Sequence, residues 1–378
     1  MEFRDLGAQY AALKDDVDVG IVRVLGSGRF VGGPEVAALE RELAEYVGVK
    51  HCITCGNGTD ALQLALMAWG VGPGDAVVVP DFTFFSSGEV VAAVGATPVF
   101  ADVLEGTFNL DPAQIAPACA AARGAGLSPK AAVAVDLFGL PADYAAICAA
   151  CEAEGLLLLE DGAQGFGGDV GGRRACSFGD ISTTSFFPAK PLGCYGDGGA
   201  VFADDDRWTE LVRSYAVHGK GTMKYDNVRV GMNSRLDAVQ AAVLRAKLAA
   251  FSTEVDAVNE RAQWYGELLA DAEGELGLRL PCVPEGFGSS WAQYTVVLPE
   301  SFNRDALQAK LKERDIPTMV YYPKPMHEQE AFAGACLTTS GACPTTKSLC
   351  QRVLSLPMGP YLSQADIERV AAALGSML

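Results

Sequence analysis

LLLLEDGAQ, which runs from Leu156 to Gln164, is a continuous apolar stretch that ends in two acids and an amide. Four consecutive leucines without polar alternation predict a strand buried on both faces, as in a mostly parallel sheet covered by helices. The carboxyl ends of such strands face the crevice in which α/β proteins bind their ligands. The stretch therefore predicts an α/β fold and places Asp161 at its candidate functional edge.

Similar runs recur on both sides of this stretch and alternate with helical patterns. They are Ala76–Pro80, Pro98–Asp102, Ala131–Asp136 and Ser182–Phe187, with a further strand expected over His51–Cys55. Between them, helices are expected at Asp60–Trp69 and at Ala142–Glu154, the second opened by Pro141. Strands that alternate with helices predict a three-layer α/β core.

The composition changes after about residue 250. We expect one helix from Ser234 to Phe251 and a second, more charged one from Thr253 to about Glu275. The segments that follow predict a strand with one exposed face and two helices, at Trp291–Leu298, Arg304–Arg314 and Gln364–Leu378. These patterns predict a large domain over residues 1–250 and a smaller α+β domain over residues 251–378.

The charge of the chain excludes some partners. Its 378 residues contain 29 Lys and Arg against 47 Asp and Glu, a formal net charge of -18. A surface this acidic repels phosphate backbones and anionic membranes, so we expect neither nucleic acid nor a membrane as partner. No run of about 18 uninterrupted apolar residues and no basic N-terminal region is present, so we expect a cytoplasmic protein without a signal peptide.

The eleven cysteines are expected to be reduced thiols, mostly small core residues. Two C-x-x-C pairs occur, Cys52/Cys55 and Cys148/Cys151. The first pair lies in an expected strand, where residues three apart point to opposite faces. The second lies in an Ala-rich helical stretch far from the first, so we expect no metal site.

A lysine in an unusual position follows the central strand. Lys190 lies in Ser185-Phe-Phe-Pro-Ala-Lys190-Pro-Leu-Gly193, just beyond an expected buried strand rather than on a helix face. Burial would lower the pKa of its amine and make it nucleophilic. Lys190 with Asp161 is the minimum set for pyridoxal phosphate (PLP): the lysine forms a Schiff base and the aspartate pairs with the pyridine nitrogen. The alternative is a loop lysine and a strand-end aspartate unrelated to each other.

Two further strand ends fit a cofactor with a phosphate and a ring. Gly56-Asn-Gly-Thr-Asp60 opens a helix, where backbone N–H groups and a hydroxyl form a phosphate cradle; its alternative is helix capping alone. Asp81-Phe-Thr-Phe84-Phe85 places an aromatic ring at a strand end, with core packing as the alternative. The glycine-rich stretch Gly165–Gly172 does not fit a dinucleotide fingerprint and predicts a hairpin or loop with positive φ angles.

In these motifs the sequence resembles the PLP-dependent sugar aminotransferases of the DegT/StrS type, a branch of the fold-type I aminotransferases. The resemblance covers essentially the whole chain. Its landmarks are Gly58-Thr-Asp-Ala-Leu, Pro80-Asp-Phe-Thr-Phe84, Glu160-Asp-Gly-Ala-Gln164, Ser185-Phe-Phe-Pro-Ala-Lys-Pro-Leu-Gly193 and Asn233-Ser-Arg-Leu-Asp-Ala-Val-Gln-Ala-Ala242. Five motifs in the family's order make this a specific match.

The resemblance implies a role for each matched residue. Lys190 is the Schiff-base lysine and proton shuttle, Asp161 keeps the pyridine nitrogen protonated, Gln164 bonds the ring's 3-oxygen and Phe84 stacks on the ring. Four residues of the same chain are implied for the phosphate: Gly58, Thr59, Asp60 and Ser185. Asn233 reaches the phosphate of the neighbouring subunit, which implies a homodimer with shared sites.

The resemblance also implies a substrate. The motifs around Lys190 and Asn233 are similar to those of enzymes that move an amino group from L-glutamate to a 3-keto nucleotide sugar. Among these, the chain is most similar to enzymes that aminate a UDP-2-acetamido-3-keto-hexuronate for surface polysaccharides. The matching substrate positions are Gly28, Phe30, Ala189, Arg235, Tyr321 and Tyr322.

Three of these positions depart from the family pattern. Phe30, Ala189 and Tyr321 stand where Tyr, Ser and His are expected, and each change removes or alters a polar contact. Arg235 is kept and could fork onto a carboxylate, or else contact glutamate or the partner subunit. One alternative is therefore a neutral 3-keto or 4-keto UDP- or TDP-hexose as substrate. A second is a sugar dehydratase, although relatives with that activity carry His in place of Lys190. A third is a non-enzymatic protein of the same fold.

A short basic stretch interrupts the acidic sequence. His218–Arg229 carries four basic groups, with Lys220 and Lys224 among them, and one acid. We expect a loop near the active site that offsets the negative field for a diphosphate. A solvated basic loop is the alternative.

Overall fold

The computed structural model describes residues 1–223, 225–339 and 341–377, and for Glu275 the backbone alone. The strands are β1 (His51–Cys55), β2 (Asp75–Pro80), β3 (Thr97–Ala101), β4 (Ser128–Val135), β5 (Leu157–Asp161), β6 (Asp169–Val170), β7 (Arg173–Arg174), β8 (Ile181–Ser185), β9 (Gly199–Ala203), β10 (Phe287–Gly288), β11 (Tyr294–Val297), β12 (Leu337–Thr338) and β13 (Val353–Leu356). The helices are α1 (Leu6–Ser27), α2 (Pro34–Val47), α3 (Gly58–Ala68), α4 (Phe85–Ala93), α5 (Ile115–Gly124), α6 (Tyr144–Glu154), α7 (Asp206–Tyr215), α8 (Ala238–Leu276), α9 (Arg304–Glu313), α10 (Pro344–Arg352) and α11 (Gln364–Gly375).

The large sheet has the order β1-β9-β8-β5-β4-β2-β3-β12 within the described residues. From β8 to β12 every neighbouring pair is parallel, and β9 alone runs against its two neighbours, β8 and β1. The predicted mostly parallel α/β fold is therefore confirmed. Because parallel strands end at the same edge, the carboxyl ends of β2, β5 and β8 lie along one edge of the sheet, with β4 between β5 and β2.

Both faces of this sheet are covered, as the apolar runs predict. Along β2, Val77 and Val79 pack into the core beneath α3 and α4, whereas Ala76 and Val78 pack into the core beneath α5 and α6. Cys52 and Cys55 of β1 likewise enter two different cores, because strand side chains alternate.

The two helices expected on either side of residue 252 form one helix instead. α8 runs unbroken through 39 residues, about 58 Å at the usual rise per residue. Its first half packs Leu244 and Phe251 against α1 and α2, and its second half packs Val258 and Tyr265 into the C-terminal core. Since both halves bury an apolar face, the polar Ser252–Thr253 step does not end the helix. The expected domain boundary at residues 250/251 falls inside α8.

The expected exposed face of the C-terminal strand is buried. All four residues of β11 are buried, and the strand pairs antiparallel with β13. Val296 packs into the C-terminal core, while Val297 joins the core of the large sheet on the opposite side. Thr295 is a polar residue in this buried strand, and its hydroxyl forms a hydrogen bond with the hydroxyl of Ser355 at 2.8 Å. The prediction failed because the second face is covered by a distant part of the chain.

The remaining predicted elements are close to the observed ones. The glycine-rich stretch forms the hairpin of β6 and β7, with positive φ at Gly171 and Gly172 as expected. α3 begins two residues earlier than predicted, at Gly58, and α11 ends at Gly375 rather than at Leu378, which lies outside the described residues. None of the helices in the described part of the chain is both long and apolar enough to cross a membrane.

Candidate active site

Asp161 ends β5 in the middle of the sheet edge and is 5% exposed. Its Oδ2 accepts a hydrogen bond from the Ser87 hydroxyl at 2.8 Å, and its Oδ1 accepts one from the backbone of Ala163 at 3.2 Å. Burial raises the pKa of Asp161, while these two donors and the charge of Lys190 act in the opposite direction. The carboxylate is thus fixed in place by two donors, as a partner for a protonated ring nitrogen must be.

Lys190 lies on a tight loop that leaves the end of β8. The loop is closed by hydrogen bonds from Cys194 N to Phe186 O and from Lys190 N to Phe187 O, both 2.8 Å. Burial lowers the pKa of the Lys190 amine to about 8, with Asp161 raising it and Arg4 lowering it further. Among the described residues, Nζ of Lys190 has no hydrogen-bond partner. A share of this amine is therefore neutral, and so nucleophilic, at slightly basic pH.

The start of α3 and the end of β8 meet closely. A Cβ on Gly58 would lie 2.6 Å from Cβ of Ser185, so only glycine lets the helix start approach this strand. The Thr59 hydroxyl lies 2.7 Å from the hydroxyl of Ser86 at the start of α4. Backbone N–H groups and three hydroxyls therefore converge at a helix N-terminus, which is an arrangement suited to phosphate.

Asp60 is bound on the protein side of this cradle. Its backbone N–H donates to the capping side chain of Asn57 at 2.8 Å, and its carboxylate accepts from the Ser234 hydroxyl at 2.6 Å. Ser234 also accepts from the N–H of Gly56 at 2.9 Å. Asp60 therefore holds the segment around Ser234 in place. Its anionic side chain is a poor direct partner for phosphate.

Gln164 forms the third side of the site. Its Oε1 accepts from the backbone of Phe138 at 2.8 Å, and its Nε2 donates to the hydroxyl of Tyr322 at 3.0 Å. Burial raises the pKa of Tyr322, which keeps that hydroxyl protonated. The ring of Tyr322 lies 6.3 Å from that of Phe84, which is 53% exposed at the start of α4. Phe84 therefore presents an open ring face beside Gln164, where a planar ligand could stack.

The other predicted positions form a separate surface patch. Gly28 ends α1, and Phe30 follows with half its surface exposed, its carbonyl accepting from Ala238 N at 2.8 Å. Asn233 and Arg235 are exposed beside it and bond each other at 2.5 Å. No hydrogen bond in the described part of the chain joins this patch to Lys190 or Asp161.

The last two substrate positions lie closer to the lysine. Ala189 is exposed on the Lys190 loop, and Tyr321 precedes Tyr322 with its ring 6.3 Å from that of Phe3. The basic stretch forms an exposed loop in which Arg229 bonds Ser214 and lies 5.5 Å from the ring of Tyr215; Lys224 lies outside the described residues.

Sequence reasoning missed the hydroxyls that hold these groups. Thr83 lies within the predicted aromatic motif, Ser86 and Ser87 follow it directly, and all three are buried. Two hydroxyls directly after Phe85, at a helix start that points toward the sheet edge, are the signal that could have identified them. Arg4 and Lys247 were missed because they come from distant parts of the chain.

The residues present fit PLP. A buried carboxylate, an unpartnered amine of lowered pKa, a helix start that tolerates no Cβ and an open aromatic ring correspond to the ring nitrogen, aldehyde, phosphate and ring face of that group.

Comparison with known proteins agrees with this site. Residues 13–375 match the DegT/DnrJ/EryC1/StrS aminotransferase family. The chain is 44% identical to the UDP-2-acetamido-2-deoxy-3-oxo-D-glucuronate aminotransferase of Pseudomonas aeruginosa, with 99% of both chains covered. It is 40% identical to the UDP-N-acetyl-3-dehydro-alpha-D-glucosamine 3-aminotransferase of Acidithiobacillus ferrooxidans, with 98% of this chain and 96% of the relative covered.

A solved structure is similar over the whole chain. An aminotransferase of this family from Brucella abortus is 47% identical and superimposes with a TM-score of 0.96, covering 100% of this chain and 99% of the other. The predicted fold-type I architecture, the PLP cofactor and the transaminase class are thereby confirmed. The chain belongs to the DegT/DnrJ/EryC1/StrS family of PLP-dependent aminotransferases.

Proposed function

We propose that this enzyme transfers the amino group of L-glutamate to C3 of a UDP-2-acetamido-3-keto-hexuronate, in the synthesis of a surface polysaccharide. The observation that carries the proposal is the Lys190 and Asp161 pair beside a phosphate cradle, in a chain 44% identical over its length to an aminotransferase named for such a uronate. The cytoplasm is the proposed location, because nucleotide sugars are made there.

When bound, PLP supplies an electron sink that stabilises a carbanion next to the transferred nitrogen. The protein's part is to hold and move protons. Asp161 would hold a charge beside the ring nitrogen, Gln164 would donate an N–H to the ring's 3-oxygen, and Phe84 would cover one ring face. Lys190, neutral above about pH 8, can accept and return a proton in the same place. The start of α3 and Ser185 would hold the phosphate.

The separate surface patch supports a homodimer with shared sites. Asn233 and Arg235 flank Ser234, which is bonded toward Asp60, so their side chains point away from the site of their own chain. On the neighbouring α1, Val19, Val22 and Leu25 are each more than half exposed and lie on one side of the helix. We infer that a second copy covers this apolar stripe and receives Asn233 in its own phosphate cradle.

Arg235 is the patch residue that bears on substrate choice. Its planar, permanent charge suits a carboxylate, which favours a uronate. Phe30, Ala189 and Tyr321 favour instead a neutral sugar held by stacking, and one relative is named for an N-acetylglucosamine substrate. A dehydratase is disfavoured because Lys190 is present, and a non-enzymatic role because the cofactor groups are intact.

A substrate panel tests the proposal. Formation of 2-oxoglutarate from glutamate is measured with UDP-linked 3-keto uronate, UDP- and TDP-linked neutral 3-keto hexoses and a 4-keto hexose, with Lys190→Ala as the inactive control. We expect the highest kcat/KM with the 3-keto uronate. A higher value with any neutral sugar would overturn the uronate assignment, and loss of water without uptake of nitrogen would overturn the transfer reaction.

A further inference from the structure

A buried lysine of α8 supports the loop that carries Lys190. Lys247 is 1% exposed, and its Nζ donates to the carbonyl of Gly193 at 2.7 Å. The same Nζ lies 4.3 Å from the ring centroid of Tyr195, two residues farther along the loop. Burial lowers the pKa of Lys247 to about 8. The Lys247 side chain therefore contacts this loop and is shielded from solvent.

A second cation approaches the same loop from the N-terminal segment. Nη2 of Arg4 lies 3.4 Å from the carbonyl of Pro191, the residue after Lys190. Nη1 of Arg4 is buried and has no hydrogen-bond partner within the described residues. The adjacent Phe3 packs its ring against Tyr321, so the N-terminal segment contacts the loop and the Tyr321–Tyr322 segment together.

One acid lies between these two cations. Glu254 of α8 is buried and accepts hydrogen bonds from Gln9 at 2.8 and 3.1 Å and from Tyr361 at 2.7 Å. Its charge acts on both Arg4 and Lys247, yet neither cation is within 4.0 Å of it. Two cations thus share one acid that is already bonded elsewhere. Such an arrangement is poor for stability, since buried cations without a close partner are costly.

The backbone of the Lys190 loop has little freedom to move once its carbonyls are held. A Cβ on Gly193 would lie 2.5 Å from the carbonyl oxygen of Pro188, so the two ends of the loop touch. With the carbonyls of Pro191 and Gly193 held by hydrogen bonds, the backbone that follows Lys190 is fixed, and the charge of Asp161 acts on its amine. A displacement of about 1 Å in a reacting group can lower a rate by about 100-fold.

We propose that Arg4 and Lys247 are positioning residues for transamination, because their buried cations hold the carbonyls of Pro191 and Gly193 and so aim the amine of Lys190. The proposal rests on Lys190 as the reactive amine and does not depend on which sugar is the substrate. The charged groups that act on Lys190 itself are Asp161 and Arg4. The two cations therefore have separable effects: both fix the loop, and Arg4 also repels the charge of Lys190.

Methionine variants separate these effects, because Met keeps an unbranched chain and removes the charge. Arg4→Met and Lys247→Met are compared with Arg245→Met, which lies two residues from Lys247 on α8 but pairs with Glu35 and Glu42. The first measurement is made on apoenzyme: the pH dependence of labelling of Lys190 by an amine reagent, followed by mass spectrometry. The others are kcat and KM with the sugar preferred in the panel, and Tm.

We expect both variants to lose about 10- to 100-fold in kcat with KM within a few-fold of wild type, as for a misaimed group. Arg4→Met should also shift the labelling midpoint of Lys190 to higher pH, and Arg4→Lys should restore much of kcat. Arg245→Met should lower Tm and leave the labelling and kcat unchanged. Wild-type kcat and labelling in Arg4→Met and Lys247→Met, with only Tm lowered, would overturn the proposal. If Lys247→Met does not fold, Arg4→Met decides alone by the same criteria.

Discussion

Burial opposes the charge on both Lys190 and Asp161, whereas their mutual attraction favours it. For the lysine, burial dominates and places the pKa at about 8, so a large share of the amine is neutral at slightly basic pH. For the aspartate, bonds from Ser87 and Ala163 N support the ionised form. The site thus contains a lysine that can lose its proton and an aspartate whose ionised form can pair with a protonated ring nitrogen.

Asp161→Asn should separate cofactor binding from chemistry. The amide cannot stabilise a protonated ring nitrogen, so activity should fall by several orders of magnitude while PLP still binds through the start of α3. In the apoenzyme, the pKa of Lys190 should fall below about 8, because the anion that raises it is gone. Turnover and Lys190 labelling report the two effects. Near-normal turnover would show that another group partners the ring nitrogen.

Arg235→Lys tests the carboxylate contact. If the substrate is a uronate, replacing a planar fork by a point charge should raise KM for it strongly. The expected loss of binding free energy is about 1.5–3 kcal/mol, the range for a hydrogen bond to a charged group. KM for a neutral 3-keto sugar should change little. Steady-state kinetics with both sugars make the comparison. Equal losses on the two would assign Arg235 to glutamate or to the fold.

At this scale, the sequence predicted the reactive groups but not their supports. Asp161 and Lys190 stand at strand ends beside unusual neighbours, which is a local signal. Ser87 bonds to Asp161, and Arg4 and Lys247 bond to the carbonyls of Pro191 and Gly193 beside Lys190, across 54 to 187 residues of sequence, and such pairings depend on the fold. Local patterns carry no information on them.

The start of α3 and the end of β8 are two elements of the site that lie in close contact. Gly58 is required there by space and not by backbone angle, since its Cβ would lie 2.6 Å from that of Ser185. Both of these residues are implied phosphate ligands. The same contact therefore sets both the packing of the helix and the width of the cradle.

Gly58→Ala should weaken PLP binding. The added methyl group must push α3 away from β8, and overpacking of this kind costs about 1–3 kcal/mol. We expect an equilibrium dialysis or fluorescence titration to show PLP affinity reduced by about 10-fold or more. Gly266→Ala is the control, because no atom lies within 4 Å of a Cβ in that part of α8, and this variant should bind PLP normally. Equal affinities in both variants would contradict the cradle.

Among elements, period and composition predicted six strands of the large sheet to within three residues, since each is buried on both faces by its immediate neighbours, but they did not predict β9. They failed for α8 and β11. In α8 a local polar step was overridden by burial on both sides of it, and β11 is covered by Val353 and the large core from elsewhere in the chain. Tertiary contacts decided both cases.

At the scale of the whole molecule, shared sites predict complementation. Co-expressed Lys190→Ala and Asn233→Asp chains form a mixed dimer in which one site carries both defects and the other carries neither. Activity should return to about half of wild type per mixed dimer, because a twofold interface builds two equivalent sites. Assays of the separate and the co-purified variants measure it. A fully active monomer in size-exclusion chromatography would refute the shared site.

The large sheet is completed by β12, a strand that comes 236 residues after its neighbour β3. During synthesis, β3 therefore has an unpaired edge until residue 338 has left the ribosome. The unpaired backbone groups of such an edge can pair with other chains. Tyr322 and the second half of α8 arrive in the same late interval. A nascent chain interrupted near residue 250 would carry Lys190 and Asp161 but neither β12 nor Tyr322. The edge of β3 can consequently be covered by β12 only after residue 338 has been made.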